Sequence, residues 1–160
     1  MAETASVLRR ATVFVADLNR AKRFYAGVFG MKVYRELDVA MERVPLFPVG
    51  TAARKGGAKF TIMRGENPLV GMVGLMEMVD PPLEPPRHDV RRLGYGSVAL
   101  VLSTSDATSA EAAIPLFGGQ IVMPLVTARN IGDQKGDFIP AKLFMAYDPD
   151  GTFLEVFEPL

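Results

Sequence analysis

The chain of 160 residues contains no cysteine and a single histidine, His88. The first absence excludes disulfides, thiolate-bound zinc and cysteine nucleophiles. The second excludes a metal site built on two imidazoles. His88 stands among prolines and arginines, where an exposed loop residue is expected in preference to a base on a lid. Charge of one sign is also lacking: eighteen Lys and Arg balance eighteen Asp and Glu. The electrostatic footprint of a nucleic-acid binder is therefore missing. No apolar run is long enough to cross a bilayer, since the longest, Leu69 to Met78, is broken by Gly71 and Gly74. Met1 to Arg10 lacks the apolar segment of a signal peptide, so a cytoplasmic address is the default expectation.

What is present describes a folded domain. Hydrophobic residues make up 49% and charged residues 22%, enough for one core or two small modules sharing one. Leu8 to Val15 is β-branched and reads as a strand. Asp17 is an N-cap for a helix whose Leu18, Ala21, Phe24, Tyr25, Val28 and Phe29 fall on one face, and Gly30 ends it. Met31–Asp38, Ala58–Arg64 and Val70–Val79 read as three further strands. Residues 39–56 form a long excursion with Pro45, Pro48 and Gly50.

Pro81, Pro82, Pro85 and Pro86 make residues 80–94 a stiff linker. A second series then follows. Tyr95–Ser103 is a strand, Ser105 or Asp106 caps a helix, and Gly118-Gly119 ends that helix, with Pro115 shortening or bending it. Gln120–Thr127, Ala141–Tyr147 and Thr152–Phe157 are strands. Segments 39–56 and 128–140 are expected to be flaps. The expected class is α+β: two βαβββ modules, about 7–79 and 95–157, repeat at a spacing of about 87 residues as a pseudo-twofold tandem of cupped sheets.

Two segments carry a family resemblance. Ala11-Thr-Val-Phe-Val-Ala-Asp-Leu-Asn-Arg-Ala-Lys-Arg-Phe-Tyr-Ala-Gly-Val-Phe-Gly-Met-Lys-Val33 resembles the opening module of the vicinal oxygen chelate superfamily of glyoxalase, bleomycin-resistance and extradiol-dioxygenase proteins. Tyr147-Asp-Pro-Asp-Gly-Thr-Phe-Leu-Glu-Val-Phe157 is similar to its closing hairpin. The resemblance implies a divalent metal held by a first-strand ligand, usually His, and a last-strand ligand, usually Glu, from each module. It also implies a homodimer. Glu77 and Glu155 match the last-strand positions. The first-strand positions fall on Arg10 and Ser97, which depart from the pattern.

Arginine is permanently protonated and has no lone pair for a metal, and a serine hydroxyl is a weak ligand. The expectation is therefore no metal cofactor. Arg10 would instead pair with Glu77 or Glu155, or hold a ligand's carboxylate or phenolate. Strand alternation adds Thr12 and Phe14 beside Arg10, Ala99 beside Ser97, Leu75 beside Glu77 and Phe153 beside Glu155. Met72, Met76 and Met78 share the face opposite Glu77 and would pack on a helix or form a pliable interface. Lys55-Gly-Gly-Ala-Lys59 and Asp148-Pro-Asp-Gly151 are explained as turns.

Three functions compete on these residues. The first is a metal-independent protein that binds or converts a small organic molecule in a mostly apolar pocket, with Glu77 and Glu155 as the candidate catalytic carboxylates. The second is a divalent-metal lyase, isomerase or dioxygenase using Glu77 and Glu155. The third is an interaction protein with filled module cavities.

Overall fold

The computed structural model describes residues 8–40, 57–67, 70–79, 82–84, 91–132 and 138–160. His88, the excursion from residue 41 to 56 and most of the proline linker lie outside the described residues. By internal contacts the chain divides into two compact units, Met1–Lys22 with Gly30–Glu84, and Arg23–Phe29 with Pro85–Leu160.

The first unit is built on strands β1 (Arg10–Phe14), β2 (Lys32–Ala40), β3 (Gly57–Arg64) and β4 (Met72–Met78), in sheet order β1-β4-β3-β2. β1 runs parallel to β4, and the other neighbours are antiparallel. Helix α1 (Leu18–Phe29) follows β1. Its first turn is closed by Asp17, whose Oδ1 accepts the Arg20 N–H at 2.9 Å. Gly30 ends it at a φ of 63°, a left-handed position that costs glycine little.

The second unit repeats the plan with β5 (Ala99–Ser103), helix α2 (Ala107–Leu116), β6 (Gln120–Gly132), β7 (Phe138–Tyr147) and β8 (Phe153–Pro159), in sheet order β5-β8-β7-β6. The cap of α2 is Asp106, not Ser105, and it accepts from Ser109 N–H at 2.9 Å. Pro115 lies in the last turn of α2, which ends at the next residue. Pro124 is tolerated inside β6 because that strand is an edge whose pairing slips between Met123 and Val126.

Several expected boundaries move. β5 begins at Ala99 instead of Tyr95, because Gly94 and Ser97 close a turn through two mutual hydrogen bonds. Residues 128–132 and 138–140, expected in a flap, are strand: β6 and β7 extend each other by antiparallel pairing as far as Gly132 and Phe138.

In each sheet the alternation of side chains produces a helix-side face and an opposite, inner face. In the first unit the helix-side face holds Thr61, Met63, Val73 and Leu75, all buried. The inner face holds a cluster of Ala58, Phe60, Ile62, Met76 and Met78, also buried. The three methionines of β4 thus lie on the face opposite Glu77, in line with Arg10. In the second unit Leu154, Val156, Phe144 and Ala146 fill the helix-side face under α2.

One buried polar contact organises the second unit. Tyr25 donates its hydroxyl to Asp148 Oδ2 at 3.0 Å, and both residues are buried. Asp148 Oδ1 also accepts the N–H groups of Asp150 and Thr152, closing the Asp148–Gly151 turn. Burial, above all, pushes the Asp148 carboxyl and the Tyr25 phenol upward.

Candidate functional site

Strand register decides which of the expected residues meet. In the first unit Arg10 pairs with Met72, Thr12 with Gly74 and Phe14 with Met76. Paired residues share a face, so Arg10, Thr12 and Phe14 lie together on the inner face as expected. Leu75 and Glu77 do not join them. They occupy the odd positions of β4 and project to the helix side, because an offset of one residue on a strand reverses the face. Glu77 also lies five register positions beyond the Arg10–Met72 pair, about 16 Å along the strand. The expected Arg10–Glu77 ion pair is therefore ruled out by geometry.

Glu77 has a different task. Its Oε2 accepts the N–H of Leu18, the first residue of α1, at 3.0 Å. The second unit repeats the device, with Glu158 Oε2 accepting the N–H of Ala107, the first residue of α2, at 2.9 Å. Each helix thus has a carboxylate from the end of the last strand on its free N–H groups. Lys142 closes on Glu158 at 3.1 Å. Together the Ala107 N–H and Lys142 hold the Glu158 carboxyl below its ordinary value.

This internal correspondence identifies equivalent positions without reference to any other protein. Asp17 and Asp106 cap the two helices, and seven residues before each stand Arg10 and Ala99. Ser97 therefore is not the counterpart of Arg10. It sits in the turn before β5, exposed, with its hydroxyl accepting from Gly94. On the last strands, Met72 and Phe153 are the partners of Arg10 and Ala99, so the counterpart of Glu155 is Gly74. Neither Gly74 nor Phe60 stands out in the sequence. The helix caps alone relate Arg10 to Ala99, whereas Gly74 emerges only from the pairing of β1 with β4.

Around Gly74 the packing is close. A Cβ built there would lie 2.8 Å from Thr12 Oγ1, 2.9 Å from Phe60 and 3.0 Å from Arg10 Cδ. The space that a side chain would need is filled by the arginine stem. The Arg10 guanidinium rests over the Phe60 ring, 4.9 Å from its centroid, a cation–π contact. Its Nε donates to Thr12 Oγ1 at 3.3 Å. Among the described residues no carboxylate pairs with it.

The second unit brings Ala99, Phe153 and Glu155 onto one inner face, with Val101 and Met145 as the direct register partners of Glu155. Glu155 is half-buried there, between apolar neighbours. A cleft of about 300 Å3 on the helix-side face of the first unit is lined by polar residues including Lys22, Glu36, Asp38, Lys59 and Glu77. Lys22 and Glu36 pair across it at 2.8 Å. Of the expected site residues it contains Glu77.

Two four-stranded sheets, each with a parallel first and last strand and one helix, define a paired-βαβββ protein. Residues 7–156 match the Glyoxalase/Bleomycin resistance protein/Dioxygenase superfamily model, and the chain belongs to that superfamily. A glyoxalase family protein from Bacillus cereus shares the fold at 17% identity, with a TM-score of 0.73 over 100% of this chain and 99% of that one. Glyoxalase I from Zea mays is 25% identical over 96% of this chain and 47% of that one, with a TM-score of 0.58. TioX from Micromonospora sp. ML1 is 15% identical over 97% and 100% of the two chains, at a TM-score of 0.52. The comparison with curated proteins gave no match. No helix among the described residues is long and apolar enough to cross a membrane.

The metal that the resemblance implies does not fit these side chains. The positions equivalent by register are Arg10 and Gly74 in one unit, Ala99 and Glu155 in the other. Only Glu155 carries a donor suited to a divalent ion, and Arg10 carries a fixed positive charge. Among the described residues no three Asp, Glu or His side chains are grouped to hold an ion.

Proposed function

We propose that this chain is a metal-independent member of its superfamily that binds, or converts, a small organic molecule on the inner faces of its sheets. The carrying observation is Arg10, a guanidinium set on an aromatic ring at the margin of an apolar face with no acid partner among the described residues. A cation so placed supplies a fixed positive charge, as a metal would in relatives, and adds directional N–H donors of its own. Glu155, among Val101, Met145 and Phe153, is an acidic group of the second face and the candidate base if a reaction follows.

A divalent-metal lyase, isomerase or dioxygenase built on Glu77 and Glu155 has less support, since Glu77 already serves the α1 N-terminus. A homodimer belongs to the proposal. β1 and β5 are edge strands of their sheets, and their inner-face residues Phe14 and Val101 remain 42% and 59% exposed, a cost that a second copy would remove. A cytoplasmic setting accords with the lack of cysteine.

Crystals of the protein as purified, and after soaking with small aromatic acids, test the reading. Ligand density within hydrogen-bond distance of the Arg10 guanidinium supports it. A divalent ion coordinated by Glu155, with Arg10 turned away, overturns it.

A further inference from the structure

We infer, resting on the reading of Arg10 as the polar anchor, that the group it takes is a carboxylate on an apolar body and that Gly74 determines this choice. The guanidinium offers two edges on which two donors lie side by side: the Nε edge and the end formed by its two Nη groups. Thr12 occupies Nε at 3.3 Å. The end remains, and its parallel N–H groups match the two oxygens of a carboxylate. A lone neutral acceptor uses one of these donors and leaves the charge unmatched.

The surroundings choose the body. Beside Arg10 on the same face stand Met72, half-buried, and Phe14, 42% exposed. Phe60 and Ile62 continue the surface inward. Aromatic and thioether surfaces favour an apolar chain or ring, and the flexible methionine adapts to its shape.

Gly74 makes this arrangement possible. Its missing side chain lets the Arg10 stem cross β4 diagonally and lay the guanidinium on Phe60. The Cβ of any other residue would meet Thr12, Phe60 and Arg10 at 2.8–3.0 Å. In the second unit the equivalent position is Glu155 and the first strand offers Ala99. The two units thus carry opposite charges on exchanged strands, cation on the first in one and anion on the last in the other. Gly74 is a positioning residue: it touches no ligand and acts through Arg10.

Calorimetric titration of the full chain with benzoate, 3-phenylpropionate and octanoate, each beside its neutral amide, tests the inference. At least one carboxylate is expected to bind ten-fold or more tightly than its amide. Arg10→Lys, which loses the paired donors but keeps the charge, is expected to weaken that carboxylate at least ten-fold and the amide much less, so that the carboxylate-to-amide ratio falls. Gly74→Ala is expected to reduce the carboxylate-to-amide ratio similarly, and Gly74→Ala with Thr12→Ala, which relieves the nearest clash, to recover part of it. Melting curves establish that the variants fold.

Equal binding of acid and amide retains the small-molecule reading and overturns the carboxylate assignment. Binding of neither class, or a carboxylate preference untouched by Arg10→Lys, also overturns it. A ratio unchanged in folded Gly74→Ala overturns the role of Gly74 alone.

Discussion

Replacing Glu77 distinguishes a helix cap from a catalytic carboxylate. The Glu77 oxygen accepts the first N–H of α1 at 3.0 Å, in a half-buried setting. Side-chain caps of this kind are worth about 0.5–2 kcal/mol, and charged acceptors lie toward the upper end. Leu18, the donor residue, is buried, so water is poorly placed to replace the lost acceptor. Glu77→Ala is therefore expected to cost about 1–2 kcal/mol. For a chain of this size that lowers the melting temperature by roughly 2–8 °C. Glu77→Gln keeps an acceptor without the charge and should lose about half as much. The assay is calorimetric melting of the three proteins, with ligand titration in parallel. Ligand affinity should not move in either variant. An unchanged melting temperature combined with lost binding or turnover would refute the assignment and return Glu77 to the site.

Further perturbations probe the remaining contacts. Tyr25→Phe removes the buried donor to Asp148 and is expected to cost about 1–3 kcal/mol in urea unfolding. Gly119→Ala places a Cβ 2.7 Å from the Tyr147 carbonyl and 2.8 Å from Phe24. Backbone cannot yield as a side-chain tip does, so a loss of about 1–3 kcal/mol is expected from the same measurement. The Glu158 carboxyl is lowered by the Ala107 N–H and then by Lys142. Its contribution is complete above the ordinary glutamate range and disappears as pH falls through the lowered value. Unfolding free energies of wild type and Glu158→Gln should therefore converge in acid. Asp148 has the opposite sign. Burial raises its carboxyl, so its stabilising protonated form is complete below the ordinary range and is lost as pH rises through the raised value. Asp148→Asn should remove that component of the pH profile.

The repeat was legible because its signals are local. Asp17 and Asp106 are caps, Gly30 and Gly118 end helices, and alternating runs mark most strands. Which face a residue occupies was only half legible. Along a single strand alternation is certain, and it joined Arg10 to Thr12 and Phe14 correctly. Between strands it needs register, which the sequence of β4 does not carry: Val73, Leu75 and Glu77 and the methionines alternate equally well in either phase. Glu77 matches the last-strand glutamate that the resemblance implies, but a carboxylate there is also what a helix N-terminus attracts. Gly74 was passed over because a missing side chain gives no chemical signal. Its importance appears only where Arg10, Thr12 and Phe60 close around it. Ser97 lies at the approximate repeat spacing from Arg10, and the structural counterpart is Ala99 because the stretch leading to the second helix cap is longer.

Titrating the metal-stripped protein with zinc or nickel by calorimetry tests the central claim most directly. With a guanidinium and a glycine at the two first-unit positions, no binding near one equivalent per chain should appear, and Glu155→Ala should give the same trace. A stoichiometric ion, bound tightly and lost on Glu155→Ala, would contradict the account.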